Sequence, residues 1–246
     1  MALPFPSAPT YRDGLLYVDG NGPGGGGTLW AITRDGDTAW SQHNPYGADE
    51  SSPAVGANRV FVSFAGPQIY AFDKTTGDLA WHYDSGFSGG GGRTPVLHDG
   101  RLYVRDRGVA YVLDAVTGNL IDTFSDVGPA PAFNDDKGFR VVDRGRRVEA
   151  FDASTGLLRW FVGDPYRGLG GAFTSAPLVL NDEVVVGSVE GNVYGIKGKV
   201  NWQDAVGQPI YGPNEQDTTQ LLTGLAAGQG TLIVPANTKV VAYSGS

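Results

Sequence analysis

The sequence predicts an all-β chain folded as about six four-stranded antiparallel sheets, and three observations predict it. A unit of roughly 41 residues recurs along the chain. Glycine (38) and proline (15) are abundant although 41% of residues are apolar, a composition that suits many short strands joined by tight turns rather than disorder. Short runs of alternating β-branched and aromatic residues stand between turn signals, which is the pattern of half-buried strands.

The repeat is read most easily from its second half. LWAITRDGDTAW (29–40), IYAFDKTTGDLAW (69–81), AYVLDAVTGNLID (110–122) and VEAFDASTGLLRW (148–160) are alike, VYGIKGKVNW (193–202) is a degenerate fifth copy, and VVAYSGS a truncated sixth. The aligned last positions, Trp40, Trp81, Asp122, Trp160 and Trp202, are spaced 41, 41, 38 and 42 residues apart. Each copy opens on a leading segment, containing proline in all but the last: SAPTY, SSPAV, RTPVL, APAF, SAPLVL and a weaker TGLAA. A short turn follows, then a second strand such as RVFVSF or RLYV, then the third strand of the Tyr-Ala-Phe-Asp type, a Thr-Gly turn and a fourth strand ending near Trp.

One such sheet cannot bury both faces alone, whereas sheets stacked radially can, so the expected architecture is a single β-propeller domain over residues 1–246. In the Asp-x-x-Thr-Gly element, Gly77, Gly118 and Gly156 are expected to supply a positive φ. Asp73, Asp114 and Asp152 are expected to accept backbone N–H bonds across the turn. Trp40, Trp81, Trp160 and Trp202 are expected to wedge between neighbouring blades, a structural role. The sixth copy stops after its third strand, which predicts a last blade that is three-stranded or closed by an N-terminal stub around Ala2–Phe5.

The pattern Ala-x-Asp-x-x-Thr-Gly-x-x-x-Trp, intact at Ala71–Trp81 and Ala150–Trp160, resembles the tryptophan-docking motif of the pyrroloquinoline-quinone (PQQ)-like propeller superfamily. The resemblance spans nearly the whole chain. It implies the fold and leaves the function open, because such repeats serve quinoprotein dehydrogenases, outer-membrane assembly scaffolds and extracellular sensor domains. The dehydrogenase branch implies eight blades, a Ca²⁺-bound quinone over a Trp floor and, in some members, adjacent cysteines. This chain is shorter and has no cysteine, and only Trp30, read as opening a strand, falls outside the repeat position. No cofactor and no metal are therefore expected.

A net charge of −8 disfavours a nucleic-acid partner. The lack of cysteine excludes disulfides and thiolate chemistry. No apolar run approaches the length of a membrane span, so membrane insertion is not expected. The start Met-Ala-Leu-Pro-Phe-Pro has neither a basic nor an apolar targeting region. The expected location is extracellular or periplasmic with the targeting segment removed, a cytoplasmic one being the alternative, and the expected state is monomeric.

Loops joining the fourth strand to the next first strand share one face of a propeller with loops joining second and third strands. The former are long here: 41–52, 82–93, 161–175 and 203–224, and the latter include 20–27, 105–108 and 143–147. The candidate ligand-binding residues lie in or beside them: Tyr46, Asp49, Glu50, Phe87, Arg93, Tyr166, Arg167, Tyr211 and Asn214. Aromatics with adaptable polar neighbours suit a protein segment or a glycan, and equally suit capping of blade ends. Arg105, Arg107, Arg144, Arg146 and Arg147 form the one basic concentration, read as salt-bridged edges or as an anion site. Catalytic patterns are poor: His43, His82 and His98 have no metal-ligand spacing, and no serine has a matched His and Asp. The expected function is a non-catalytic binding or scaffolding propeller. The alternative is an enzyme in the same funnel, a small quinoprotein oxidoreductase or a polysaccharide-acting hydrolase or lyase.

Overall fold

The computed structural model describes residues 7–22, 26–44, 51–64, 68–86, 93–106, 108–126, 128–163, 172–210 and 224–244. They form two compact units, Met1–Asp126 and Val127–Ser246, each with three antiparallel sheets whose strands follow chain order. The first unit holds β1 (Thr10–Arg12), β2 (Leu15–Asn21), β3 (Gly27–Thr33) and β4 (Thr38–His43). Its second sheet is β5 (Ala54–Val55), β6 (Arg59–Phe64), β7 (Gln68–Asp73) and β8 (Leu79–Asp84). Its third is β9 (Val96–His98), β10 (Arg101–Asp106), β11 (Gly108–Asp114) and β12 (Leu120–Asp126).

The second unit begins with β13 (Ala132–Asn134), β14 (Lys137–Val142), β15 (Arg147–Asp152) and β16 (Leu158–Gly163). Next come β17 (Leu178–Leu180), β18 (Glu183–Gly187), β19 (Asn192–Ile196) and β20 (Val200–Ala205). The sixth sheet is β21 (Ala226–Gly228), β22 (Thr231–Ala236) and β23 (Lys239–Ser244). These six sheets are the blades of a β-propeller fold, and the last has three strands among the described residues. The N-terminal stub lies outside the described residues. One 3₁₀ turn, Asp143–Gly145, is present, and no described helix is long and apolar enough to cross a membrane.

The cores lie between consecutive sheets of one unit. Tyr17, Leu29 and Trp40 of the first sheet pack with Val60, Val62 and Phe64 of the second. Phe61, Ile69 and Trp81 do the same with Leu102, Val104 and Leu113. Period-2 alternation sends neighbouring residues to opposite faces, so second and third strands covered on both faces, as in the second sheet, are buried at nearly every position. A β-bulge interrupts the third-to-fourth strand ladder at the same place in all five four-stranded sheets, for instance between Ala71 and Phe72.

The turn after the third strand has one construction in sheets two to four. The Asp73 Oδ1 accepts the N–H groups of Thr75 and Thr76 at 2.8 and 3.0 Å. Asp114 accepts those of Val116 and Thr117, and Asp152 those of Ser154 and Thr155. These bonds hold all three carboxyls below the usual carboxylate range, with a hydroxyl from Ser154 contributing most at Asp152. Gly118 closes its turn at φ 75° and donates its N–H to the Asp114 carbonyl.

The tryptophans are placed in two ways. Trp40 and Trp81, each 9% exposed, donate Nε1–H to a turn carbonyl of the following sheet: Lys74 O at 3.1 Å and Ala115 O at 3.2 Å. A Cβ on Gly77 or Gly118 would come within 2.7 Å of the Trp40 or Trp81 ring, so the indole needs glycine beneath it. Trp160 and Trp202 are half-buried. Trp160 packs on the cluster shared by the fourth and fifth sheets, whose turn at Lys197 lacks the Asp-x-x-Thr-Gly element. Trp202 packs on the cluster shared by the fifth and sixth sheets, bonds Glu183 Oε2 of its own sheet at 3.0 Å and lies over Gly195, where any Cβ would overlap the indole. Trp30 differs from expectation. It sits inside β3, opposite Val18 and Ser41, and is 3% exposed.

Candidate functional site

Every described fourth strand that carries the tryptophan runs three residues beyond it, to His43, Asp84, Gly163 and Ala205. The loops expected at 20–27, 41–52 and 82–93 are therefore shorter, because Gly20, Asn21 and Gly27 pair across β2 and β3 while Thr28 pairs with His43. A glycine run reads as loop, yet its backbone amides pair as well as any others. The overrun creates one cross-strand position at the loop end of each four-stranded sheet: Thr28–His43, Gln68–Asp84, Gly108–Asp126, Arg147–Gly163 and Asn192–Ala205.

In the first unit this position is built from neutral and acidic hydrogen-bonding groups. The Thr28 Oγ1 lies 3.0 Å from His43 Nδ1. Gln68 Nε2 donates to Asp84 Oδ1 at 2.7 Å, and its Oε1 faces His82 Nε2 at 2.6 Å. A carboxylate only accepts, so the amide nitrogen faces Asp84, the amide oxygen faces His82, and His82 carries its proton on Nε2. Tyr70 stacks on that imidazole at 4.2 Å and 14°. Burial pulls the His82 pKa below its ordinary value against the opposing pull of Asp84, so the ring is neutral near pH 7. The backbone N–H of Gly86, then Gln68, hold Asp84 ionised well below the usual carboxylate range.

In the fourth sheet the position is ionic. Glu149, 4% exposed, accepts from Arg140 Nε at 2.9 Å and from Arg147 Nη2 at 2.6 Å. Arg147 also reaches Asp143 of the 3₁₀ turn at 3.1 Å and lies over the Phe161 ring at 5.1 Å. Of the basic concentration read from sequence, Arg147 is thus salt-bridged, Arg105 is buried in β10 at 2% exposure, and Arg107 lies outside the described residues. Neighbouring loop segments are knitted backbone to backbone: Phe173 N–H to Gly145 O, Val189 N–H to Ala172 O and Ile210 N–H to Ser188 O. Ile210, 1% exposed, fills the space left by Gly187.

Of the candidate ligand-binding residues, Arg93 is described, half-buried ahead of β9. Tyr46, Asp49, Glu50, Phe87, Tyr166, Arg167, Tyr211 and Asn214 lie outside the described residues. Sequence reasoning passed over Gln68, Asp84, Arg140 and Glu149. Glu149 had a legible signal: the third strands carry Trp30, Tyr70, Tyr111 and Tyr194 at its position, and a lone acid there breaks the repeat.

Comparison with known proteins places this architecture. A family described as "Outer membrane protein assembly factor BamB" matches residues 3–86 and 67–246, and the chain belongs to this family of PQQ-like propeller repeats. Among solved structures it is similar to BamB from Moraxella catarrhalis, with TM-score 0.68 and 20% identity, over 95% of this chain and 67% of that one. A europium-containing methanol dehydrogenase is similar at TM-score 0.65 and 13% identity, over 93% of this chain and 60% of that one.

In sequence, the quinohemoprotein alcohol dehydrogenase of Comamonas testosteroni is 31% identical over 175 residues, 62% of this chain and 24% of that protein. Quinohemoprotein alcohol dehydrogenase ADH-IIG of Pseudomonas putida is 35% identical over 153 residues, 54% of this chain and 21% of that protein. The chain thus spans about a quarter or less of the length of these curated relatives.

Among the described residues no three His, Cys, Asp or Glu side chains are grouped so as to hold a metal ion.

Proposed function

We propose that this chain is a non-catalytic scaffold that holds an extended protein segment on the loop end of its blades, outside the cytoplasm. The observation that carries this reading is the contrast between the two ends of the sheets. At the turn end, Asp73, Asp114 and Asp152 are consumed by their own turn amides. At the loop end, His43, Asp84 and Asp143 stay exposed at the tips of strands or in a short ordered turn while being held in place by Thr28, by Gln68 and Gly86, and by Arg147 respectively. Polar side chains fixed on a rigid sheet edge bond a peptide backbone with little ordering cost. Membership of a family described as an outer-membrane protein assembly factor supports a protein as the ligand and a location beyond the inner membrane.

The test is an immobilised library of overlapping peptides from outer-membrane proteins, with a glycan array beside it. Peptide capture is expected, weakened about tenfold by replacing Tyr46, Tyr166 and Tyr211 together with alanine, with little change in melting temperature. Equal capture by the parent and triple variant, or glycan capture alone, contradicts the reading.

A further inference from the structure

The second sheet ends in two polar side chains that its own hydrogen bonds aim and leave half used. Trp81 and Tyr83 of β8 turn into the cluster shared with the third sheet, so His82 and Asp84, which alternate with them, project together from the opposite face. Both are exposed. Gln68 of β7, 3% exposed, bonds one atom of each, Nε2 of His82 and Oδ1 of Asp84. The Gly86 N–H donates to that same Asp84 oxygen at 2.8 Å, and the buried Tyr70 ring stacks behind the imidazole.

What remains on each group is an acceptor. His82 carries its proton on Nε2, so Nδ1 presents a lone pair, and Asp84 is ionised, so Oδ2 shares its negative charge. Among the described residues no hydrogen bond or ion pair engages either atom. The fold does not ask for this pair. In the other three sheets that carry the tryptophan, the same two positions hold Ser41 and His43, Phe161 and Gly163, and Gln203 and Ala205, none of them a carboxylate.

We infer that His82 and Asp84 form a two-point site for an arginine side chain of the bound segment. The inference rests on the scaffold reading and names the residue that the segment must bring. A guanidinium presents five donors in a planar fork, so it can bond a carboxylate oxygen and a neighbouring acceptor together, whereas a lysine ammonium acts as a point charge. A neutral donor would satisfy His82 and leave the charge of Asp84 unmatched. The chain's net charge of −8 draws a basic segment toward it. Acid should weaken the site. Asp84 is the charged group that acts on His82, and Tyr70 is the titratable side chain stacked on it. A protonated imidazole has donors on both nitrogens, so acid removes the Nδ1 acceptor and sets a like charge beside the guanidinium.

The test titrates the 246-residue chain with the peptide acetyl-Ala-Arg-Ala-amide and follows the imidazole nitrogens by long-range proton–nitrogen NMR, with His82 assigned from a His82→Gln variant. A saturable shift of the unprotonated His82 Nδ1 is expected, with binding about tenfold weaker for the citrulline peptide, which keeps the shape and loses the charge. Asp84→Asn should weaken binding about tenfold. Asp78→Asn, the same change of charge at the turn end of the sheet, should leave it unchanged. Lowering the pH from about 7.5 to about 5 should weaken it severalfold, because His82 gains its second proton while Asp84 stays ionised. No saturable shift at His82, equal binding of the citrulline peptide, or equal effects of Asp84→Asn and Asp78→Asn overturns the inference. The scaffold reading is judged separately by capture on the peptide library. Library capture that Asp84→Asn leaves intact overturns the arginine site and keeps the scaffold; arginine-peptide binding without library capture keeps the site and contradicts the scaffold.

Discussion

Trp81→Ala is expected to destabilise the chain by about 3–5 kcal/mol, the cost of removing a large aromatic from a packed interface. The ring belongs to the cluster of the second and third sheets, lies 5.8 Å from Phe61, and rests on the glycine at 118. Its loss opens a cavity and leaves the Ala115 carbonyl without its donor. Trp81→Phe keeps much of the packing and forfeits the hydrogen bond, so about 1–2 kcal/mol is expected. Chemical denaturation followed by fluorescence measures both. A loss below about 1 kcal/mol for Trp81→Ala would show that the indole does not join the two sheets.

Glu149→Gln is expected to cost about 3 kcal/mol, because it leaves two guanidinium groups without their shared carboxylate. Glu149 is the most buried of the three, its side chain 5% exposed against 17% for Arg140 and 25% for Arg147. The partial exposure of the arginines keeps the expectation at the lower end of the range for buried pairs. A double-mutant cycle with Arg140→Met should return a coupling of about 1–2 kcal/mol, since the second substitution removes one of the stranded cations. Strict additivity would mean that the short Arg140–Glu149 contact carries no net energy.

The propeller was legible because its local chemistry repeats. Asp-x-x-Thr-Gly turns, leading prolines and spaced tryptophans each declare themselves within a few residues, and the structure builds six sheets from them. The loop end was not legible for a physical reason. Strand ends were read at the tryptophans, but the ladders continue three residues further because the partner strands start earlier than their glycines suggest. Gln68 and Asp84 meet only through that register. Trp202 packs between the fifth and sixth sheets, but its hydrogen-bond partner was not legible: the fifth sheet offers a glycine at 195 beneath the ring and an acceptor at Glu183, so the indole bonds within its own sheet.

The measurement that bears most directly on the scaffold reading is photo-crosslinking in cells producing the chain. One variant replaces Tyr46, a candidate binding residue read from the sequence, with a benzophenone amino acid; the other replaces Val116, which is 65% exposed at the turn end of its sheet. The account predicts a protein adduct from position 46 and none from position 116. Adducts from 116 alone, or equally from both, would contradict it.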